Sequence, residues 1–298
     1  MKTVIGITGT TSVGKSAAAV KLAKMLHTEI ISADSMQIYK GMDIGTAKIK
    51  PSETDGVRHH MLDVAKPNEC YSSYLYQQQA SAIIDGMETP PIVVGGTGFY
   101  FDSLLYPPEF GSCDDETDAK LKNMLDESGI EALQDMLRGL DKDTYDAIDL
   151  SNPKRVLRAV EIALGGKVKS QGKGKTDPKY DLKLFVLQRD RAELYKRIDD
   201  RVDEMISDGL VGEVQAMVDK YGICDTSAFS AIGYKEVIEY LQGKLTLDEC
   251  REKIKLNTRH YAKRQITYFK KMNVCEYIDV DGRTTDEIAE YIYKKCVM

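Results

Sequence analysis

One octapeptide narrows the fold of this 298-residue chain more than any other feature: Gly9-Thr10-Thr11-Ser12-Val13-Gly14-Lys15-Ser16. It fits G-x-x-x-x-G-K-[ST], follows the apolar run Thr3-Val4-Ile5-Gly6-Ile7, and precedes an Ala-rich stretch from Ala17 to Leu26. Strand, glycine turn and helix form the context in which that pattern cradles phosphate. The glycines let the backbone curl until its N–H groups face one anion, and the helix N-terminus adds partial positive charge. Lys15 supplies a point charge for the terminal phosphate, and Ser16 a hydroxyl ligand for Mg²⁺. Gly9 through Ser16 are therefore all diphosphate-binding candidates, although the pattern alone does not name a reaction.

The surrounding pattern predicts an α/β fold. A second β run, Glu29-Ile30-Ile31-Ser32, ends at Ala33-Asp34-Ser35, and a third, Pro91-Ile92-Val93-Val94, ends at Gly95-Gly96-Thr97-Gly98. Phe185-Val186-Leu187 reads as a later strand and Glu276-Tyr277-Ile278-Asp279-Val280 as a last one. Short apolar runs separated by helical stretches indicate a parallel sheet flanked by helices, a P-loop NTPase-like core. Asp34, at a strand end, suits either a Mg²⁺-holding acid or a general base beside the phosphates. Thr97 offers a hydroxyl to a phosphate oxygen; the plainer alternative is a helix cap. From Asp114 to Asp149 the chain is acidic, with an apolar stripe of Leu121, Leu125, Leu133, Met136 and Leu137, and a Lys/Gly-rich stretch runs from Lys167 to Lys175. Residues 111–180 are accordingly expected to form a helical insertion domain in a core of residues 1–110 and 181–298.

Composition excludes several classes. Hydrophobic residues at 42% and charged residues at 30% suit a globular protein. With 41 basic and 47 acidic residues the net charge is −6, so a polyanion partner would require locally concentrated cations. Six scattered cysteines with no C-x-x-C speak against zinc and against a disulfide framework. Nothing approaches the ~20 apolar residues of a membrane helix, and the N-terminus lacks the features of a signal peptide, so a cytoplasmic protein is expected. His59-His60 has no companion ligands at metal spacing and reads as lining or supporting the site.

The local concentration of cations exists. From Arg251 to Lys271 there are eight basic side chains against one acidic, Glu252, interleaved with Tyr261, Tyr268 and Phe269. A solvated helix face is the bland explanation; a footprint on a phosphate backbone is the sharper one. Lys154, Arg155 and Arg158 offer a second patch at helical spacing, although Arg155 is also placed to pair with Asp149.

Beyond these features, the run Ala33-Asp34-Ser35-Met36-Gln37-Ile38-Tyr39-Lys40-Gly41-Met42-Asp43-Ile44-Gly45-Thr46-Ala47-Lys48 resembles the signature of the tRNA dimethylallyltransferase family. Further matches follow in order: His59 to Asp63, Gly95 to Tyr100, Asn152 to Glu161, Arg197 to Val202, Ala231 to Glu236, and Thr258 to Phe269. They span residue 9 to about 270, nearly the whole chain. The departures are mild: Thr10 and Ser12 stand where the family often has Pro and Ala, Ser16 where it has Thr, and Tyr268 where it has Trp.

The resemblance implies transfer of a dimethylallyl group from dimethylallyl diphosphate to N6 of the adenosine 3′ of the anticodon, position 37, in tRNA. On this basis Asp34, Thr97, Lys15 and Arg201 are the catalytic candidates, with Arg201 also on the diphosphate and Mg²⁺ near Ser16. The tRNA-binding candidates are Asp34 to Gln37, Thr97, Lys154, Arg155, Arg158, Gly233, Tyr234, Lys235, Arg259, Lys263, Arg264 and Gln265. A target base would be taken out of its stack, with Gln37 placed to hydrogen-bond the adenine edge. The implied partners are a tRNA anticodon stem-loop and dimethylallyl diphosphate, with the chain acting as a monomer. Two other classes share the P-loop. A small-molecule or nucleoside kinase would not require the basic C-terminal segment. An NTP-driven switch would want a second acid where this chain has Gly-Gly-Thr.

Overall fold

The structure is a computed structural model that describes residues 1–106, 115–165, 177–272 and 275–297. Among these residues six strands form one parallel sheet in the order β3-β2-β4-β1-β5-β6. The strands are β1 (Thr3–Gly9), β2 (Ile30–Ser32), β3 (His59–His60), β4 (Ile92–Val94), β5 (Asp181–Gln188) and β6 (Cys275–Asp279). The sequence pattern does not predict β3. It is two residues long, pairs Ile30 with His59 and Ile31 with His60, and exists because the edge of β2 needs a hydrogen-bonding partner.

Alternation along β1 sends Ile5 and Ile7 to one face of the sheet and Val4 to the other. The first face is covered by α1 (Lys15–Leu26), through Ala18, Ala19 and Leu22, and by α11 (Thr285–Val297), through Ile288 and Ile292. The opposite face is covered by α2 (Ser73–Gly86) and α3 (Gly98–Leu105), where the Tyr76 and Tyr100 rings stack 3.8 Å apart. Burying each such side chain is worth about 1.5–3 kcal/mol, so the two-sided cover explains why the strands are continuous apolar runs. Four more helices, α7 (Arg191–Ser207), α8 (Leu210–Tyr221), α9 (Tyr234–Leu241) and α10 (Leu247–Phe269), enclose a second core around Tyr39, Met42, Leu210 and Tyr234.

The chain divides into two compact units, Met1–Leu105 with Lys179–Met298, and Tyr106–Pro178. The division starts before residue 111 and ends before residue 180 because Tyr180 is buried in the sheet core and Lys179 N donates to Leu105 O at 2.8 Å. The second unit contains α4 (Asp115–Leu140), interrupted at Gly129, then α5 (Lys142–Ala147) and α6 (Pro153–Leu164) around Leu121, Leu133, Leu137, Val156 and Val160. The Lys/Gly-rich stretch from Lys167 to Lys175 lies outside the described residues. No described helix is long and apolar enough to cross a membrane.

Candidate active site

Parallel strands aim their carboxyl ends the same way, so the loops after β1, β2 and β4 meet on one side of the sheet. They surround a cavity of about 880 Å³. Its floor is the loop from β1 to α1. Positive φ at Gly9 (140°), Ser12 (62°) and Gly14 (100°) curls the backbone there, and a Cβ on Gly9 would lie 2.3 Å from Leu187 O, so only glycine fits. The side chain of Val13 is buried against α1, leaving its backbone to the loop. Thr10 Oγ1 and Ser12 Oγ are buried without a hydrogen-bond partner among the described residues. Such orphaned hydroxyls beside a helix N-terminus fit an anion rich in acceptor oxygens.

Lys15 Nζ donates to Thr10 O at 2.7 Å and lines the cavity with Ser16, Asp34 and Arg201. Burial pushes the Lys15 ammonium down to about 8 against the pull of the Asp34 carboxylate, with Arg201 adding to the depression. Burial likewise lowers Arg201, opposed chiefly by Asp34. Two cations crowded into a poorly hydrated site are strained until an anion neutralises them, so the site favours an anion. Among the described residues no group of three or more His, Cys, Asp or Glu side chains could hold a metal. The donor set fits Mg²⁺ nonetheless, because this ion keeps waters and takes phosphate oxygens alongside one or two protein ligands, here the Ser16 hydroxyl.

Asp34 is oriented by its own turn: Oδ1 accepts from Met36 N at 2.9 Å and from Gln37 N at 3.4 Å. Thr97 is not part of the cavity lining; its Oγ1 accepts from Ser35 N at 3.0 Å and donates to Ser35 Oγ at 3.3 Å, so it ties the β4 loop to the β2 loop. The glycines before it permit that approach, since a Cβ on Gly95 would meet Ala33 O at 2.0 Å. The remaining wall comes from α7 and α10. Asp190 caps α7, accepting from Ala192 N at 2.9 Å, and the helix presents Arg197, Arg201, Val202 and Met205 to the cavity.

Several residues expected to touch RNA also make contacts within the protein. The Gln37 amide is used at both ends: Oε1 accepts from Ser32 Oγ at 3.3 Å, and Nε2 donates to Thr46 O at 3.2 Å. It therefore braces the 46–47 loop while lining the cavity. Gln265 is buried, accepting from Thr11 N at 3.1 Å and donating to Gly96 O at 3.0 Å, which rivets the phosphate loop to the β4 loop. Tyr234 is fully buried, and its hydroxyl donates to Glu213 at 2.5 Å. The same carboxylate accepts from Asp43 N (2.9 Å), Ile44 N (2.7 Å) and Gly45 N (3.0 Å). Arg259 makes a bidentate pair with Asp199 at 2.9 and 2.7 Å, and Lys235 lies 3.6 Å from Glu236.

Ser35, Met36, Gly233 and Arg264 do line the cavity, while Lys263 is exposed. In the second unit, Lys154, Arg155 and Arg158 sit on α6, with Arg155 3.7 Å from Asp149 and Arg158 2.6 Å from Glu161. His59 lines the cavity and His60 pairs with Glu29 at 2.5 Å. Sequence reasoning missed Arg197, Tyr261 and the apolar wall of Val202, Met205, Ile232 and Ile254. Arg197 carried a signal, since it precedes Arg201 by one helical turn; its Nε donates to Ser12 O at 3.2 Å. Burial, with Asp34 second, pushes the Tyr261 phenol up to about 12, so it stays protonated beside Thr97 and Gln265.

The family model described as IPP transferase matches residues 37–272, and the one described as isopentenyl transferase matches residues 2–69. The tRNA dimethylallyltransferase of Geobacillus thermodenitrificans is 42% identical over 98% of this chain and 96% of its own length. That of Clostridioides difficile is 42% identical over 92% and 91%. Among solved structures, the tRNA isopentenylpyrophosphate transferase of Bacillus halodurans superposes with a TM-score of 0.75 at 37% identity, covering 99% of this chain and 96% of that one. A eukaryotic dimethylallyltransferase acting on tRNA gives 0.84 at 29% identity, covering 96% of this chain and 77% of that one. With matches of this depth along almost its entire length, the chain belongs to the IPP transferase family.

Proposed function

We propose that this chain transfers a dimethylallyl group from dimethylallyl diphosphate to N6 of adenosine 37 in the anticodon stem-loop of cytoplasmic tRNA, releasing diphosphate. The observation that carries this reading is a single cavity in which a carboxylate, Asp34, faces two cations, Lys15 and Arg201, beside an apolar wall of Val202, Met205 and Ile232. The anion end suits the leaving group, the apolar wall suits a five-carbon allyl tail, and the carboxylate suits an amine that must lose a proton.

The N6 lone pair attacks allylic C1, the C1–O bond breaks, and its electron pair leaves with the diphosphate. Asp34 takes the N6 proton, held in place by the Met36 and Gln37 N–H groups. Lys15, Arg201 and the N–H groups of the phosphate loop stabilise the charge that grows on the departing oxygens. The Ser16 hydroxyl would help hold Mg²⁺, which when bound would supply further neutralisation of the diphosphate charge. Thr97 positions the Ser35 backbone, and Tyr261, in the cavity wall, helps shield the allylic centre from water. The exposed cations Lys263 and Arg264 take the RNA backbone.

The test is transfer of labelled dimethylallyl diphosphate to unmodified tRNA with Mg²⁺, comparing the wild type with Asp34→Ala. Label in tRNA that vanishes with the variant supports the reading. Absence of label, with turnover of ATP and a small alcohol or nucleotide, overturns it in favour of a kinase.

A further inference from the structure

Phe99 is 68% exposed, the most exposed aromatic ring among the described residues that carry exposed large apolar side chains. It stands in the first turn of α3, two residues after Thr97. Its ring is held by the Tyr268 ring, with centroids 5.7 Å apart at 44°. Tyr268 is fixed in turn: its hydroxyl donates to Asp102, and Gly98 packs so tightly on the ring that a Cβ there would lie 2.2 Å from it. An exposed apolar ring on a rigid mount, one step from a binding cavity, costs solvation without contributing to the core.

The surroundings indicate what covers it. Tyr261, Arg264, Gln265 and Tyr268 lie at i, i+3, i+4 and i+7 on α10, one continuous helical stripe. The first three line the cavity and the fourth carries Phe99, so the stripe leads from the cavity to the ring. Lys263, Arg264, Lys270 and Lys271 along this half of the helix are exposed and make no ion pair among the described residues. Cations around an exposed ring complement a partner with phosphates and flat apolar faces, which describes unpaired nucleotides.

Building on the proposed transfer reaction, we propose that Phe99, backed by Tyr268, is the stacking platform for an unpaired nucleotide next to the target adenosine. Extruding one base from a stacked loop leaves its neighbour with a bare face. Phe99 replaces the lost stacking partner and holds the loop open while Asp34 engages the extruded base. It positions the substrate and does not touch the reacting atoms.

The chain contains no tryptophan, so Phe99→Trp introduces a single indole fluorophore at the platform. Titration with a transcribed anticodon stem-loop is expected to quench that emission saturably, whereas dimethylallyl diphosphate alone leaves it unchanged. In steady-state assays Phe99→Ala is expected to raise KM for the stem-loop roughly tenfold, with KM for dimethylallyl diphosphate and the melting temperature unchanged; Phe99→Trp retains wild-type KM. Prenyl transfer with no quenching at saturating stem-loop, or a wild-type KM in Phe99→Ala, overturns the platform and leaves the transfer reading standing. Saturable quenching in a chain that transfers no prenyl group retains the platform and sinks the transfer reading instead.

Discussion

The two halves of α10 have similar composition and different surroundings. In the first half Arg251 meets Asp203 and Asp248, Lys253 meets Glu239, Lys255 meets Asp203 and Glu252, and Arg259 meets Asp199. In the second half Lys263, Arg264, Lys270 and Lys271 make no such pairs among the described residues, and the stripe between them faces the cavity and the Phe99 ring. Charge counted along a sequence cannot separate the halves, because Asp199, Asp203 and Glu239 arrive from α7 and α9, and only Asp248 and Glu252 lie on α10 itself. What distinguishes a paired cation from an unpaired one here is the element packed opposite it.

The largest expected effect tests whether chemistry lies outside both halves. Asp34→Asn should lower kcat by about 10²–10⁴-fold, since it removes the proton acceptor, while a salt titration of stem-loop binding stays as in the wild type. A weakened RNA affinity of the same size would place Asp34 in binding.

Next comes the Glu213 carboxylate, which gathers three backbone N–H groups and the Tyr234 hydroxyl. Glu213→Ala strands those donors, and a loss of about 3 kcal/mol in unfolding stability is expected at roughly 1–3 kcal/mol per unsatisfied buried group. Amide exchange of Asp43 to Gly45 should quicken. Unchanged exchange there would show that the 43–47 loop is held by something else.

The phosphate end has a pH signature. Lys15 is charged below about 8 and neutral above it, having been pushed down from its ordinary value of 10.5 by burial. KM for dimethylallyl diphosphate should therefore rise as pH climbs through about 8, by up to tenfold per unit, with no matching rise for RNA. In Lys15→Arg the inflection should move out of the range. A profile flat from pH 7 to 9.5 would contradict the assignment.

The smallest effects divide the halves of α10 directly. Arg259→Ala leaves Asp199 without its bidentate partner and should cost about 1 kcal/mol, lowering the melting temperature by about 1–2 degrees with little change in the salt dependence of RNA binding. Lys263→Ala with Arg264→Ala should do the reverse, reducing the slope of log K against log salt by about 1 per lost phosphate contact and leaving melting unaltered. If both variants alter both measurements, the division is wrong.

Motifs whose meaning is local were legible in the sequence. The Gly9–Ser16 loop, the Asp34 strand end and the Gly95-Gly96-Thr97 turn need only their own neighbours along the chain to be recognised, because backbone curvature and a helix N-terminus are short-range properties. The β3 strand was not legible, since two histidines pair only because β2 offers them an edge. Nor were the internal bonds of Gln37, Gln265 and Tyr234 to Thr46, Gly96 and Glu213, which join segments far apart along the chain.

By itself the amino-acid sequence determined the order of every described strand except β3, the curled Gly9–Ser16 loop and the acid at the end of β2, because periodicity, glycine placement and spacing encode local geometry. Only the tertiary structure decided the strand order in the sheet, which cations of α10 are neutralised, which polar side chains are braces, and that Phe99 is left bare beside the cavity. Those outcomes depend on partners tens to hundreds of residues away, such as Asp199 for Arg259 and Thr11 for Gln265, and a pairing across such distances exists only once the sheet has brought its loops together.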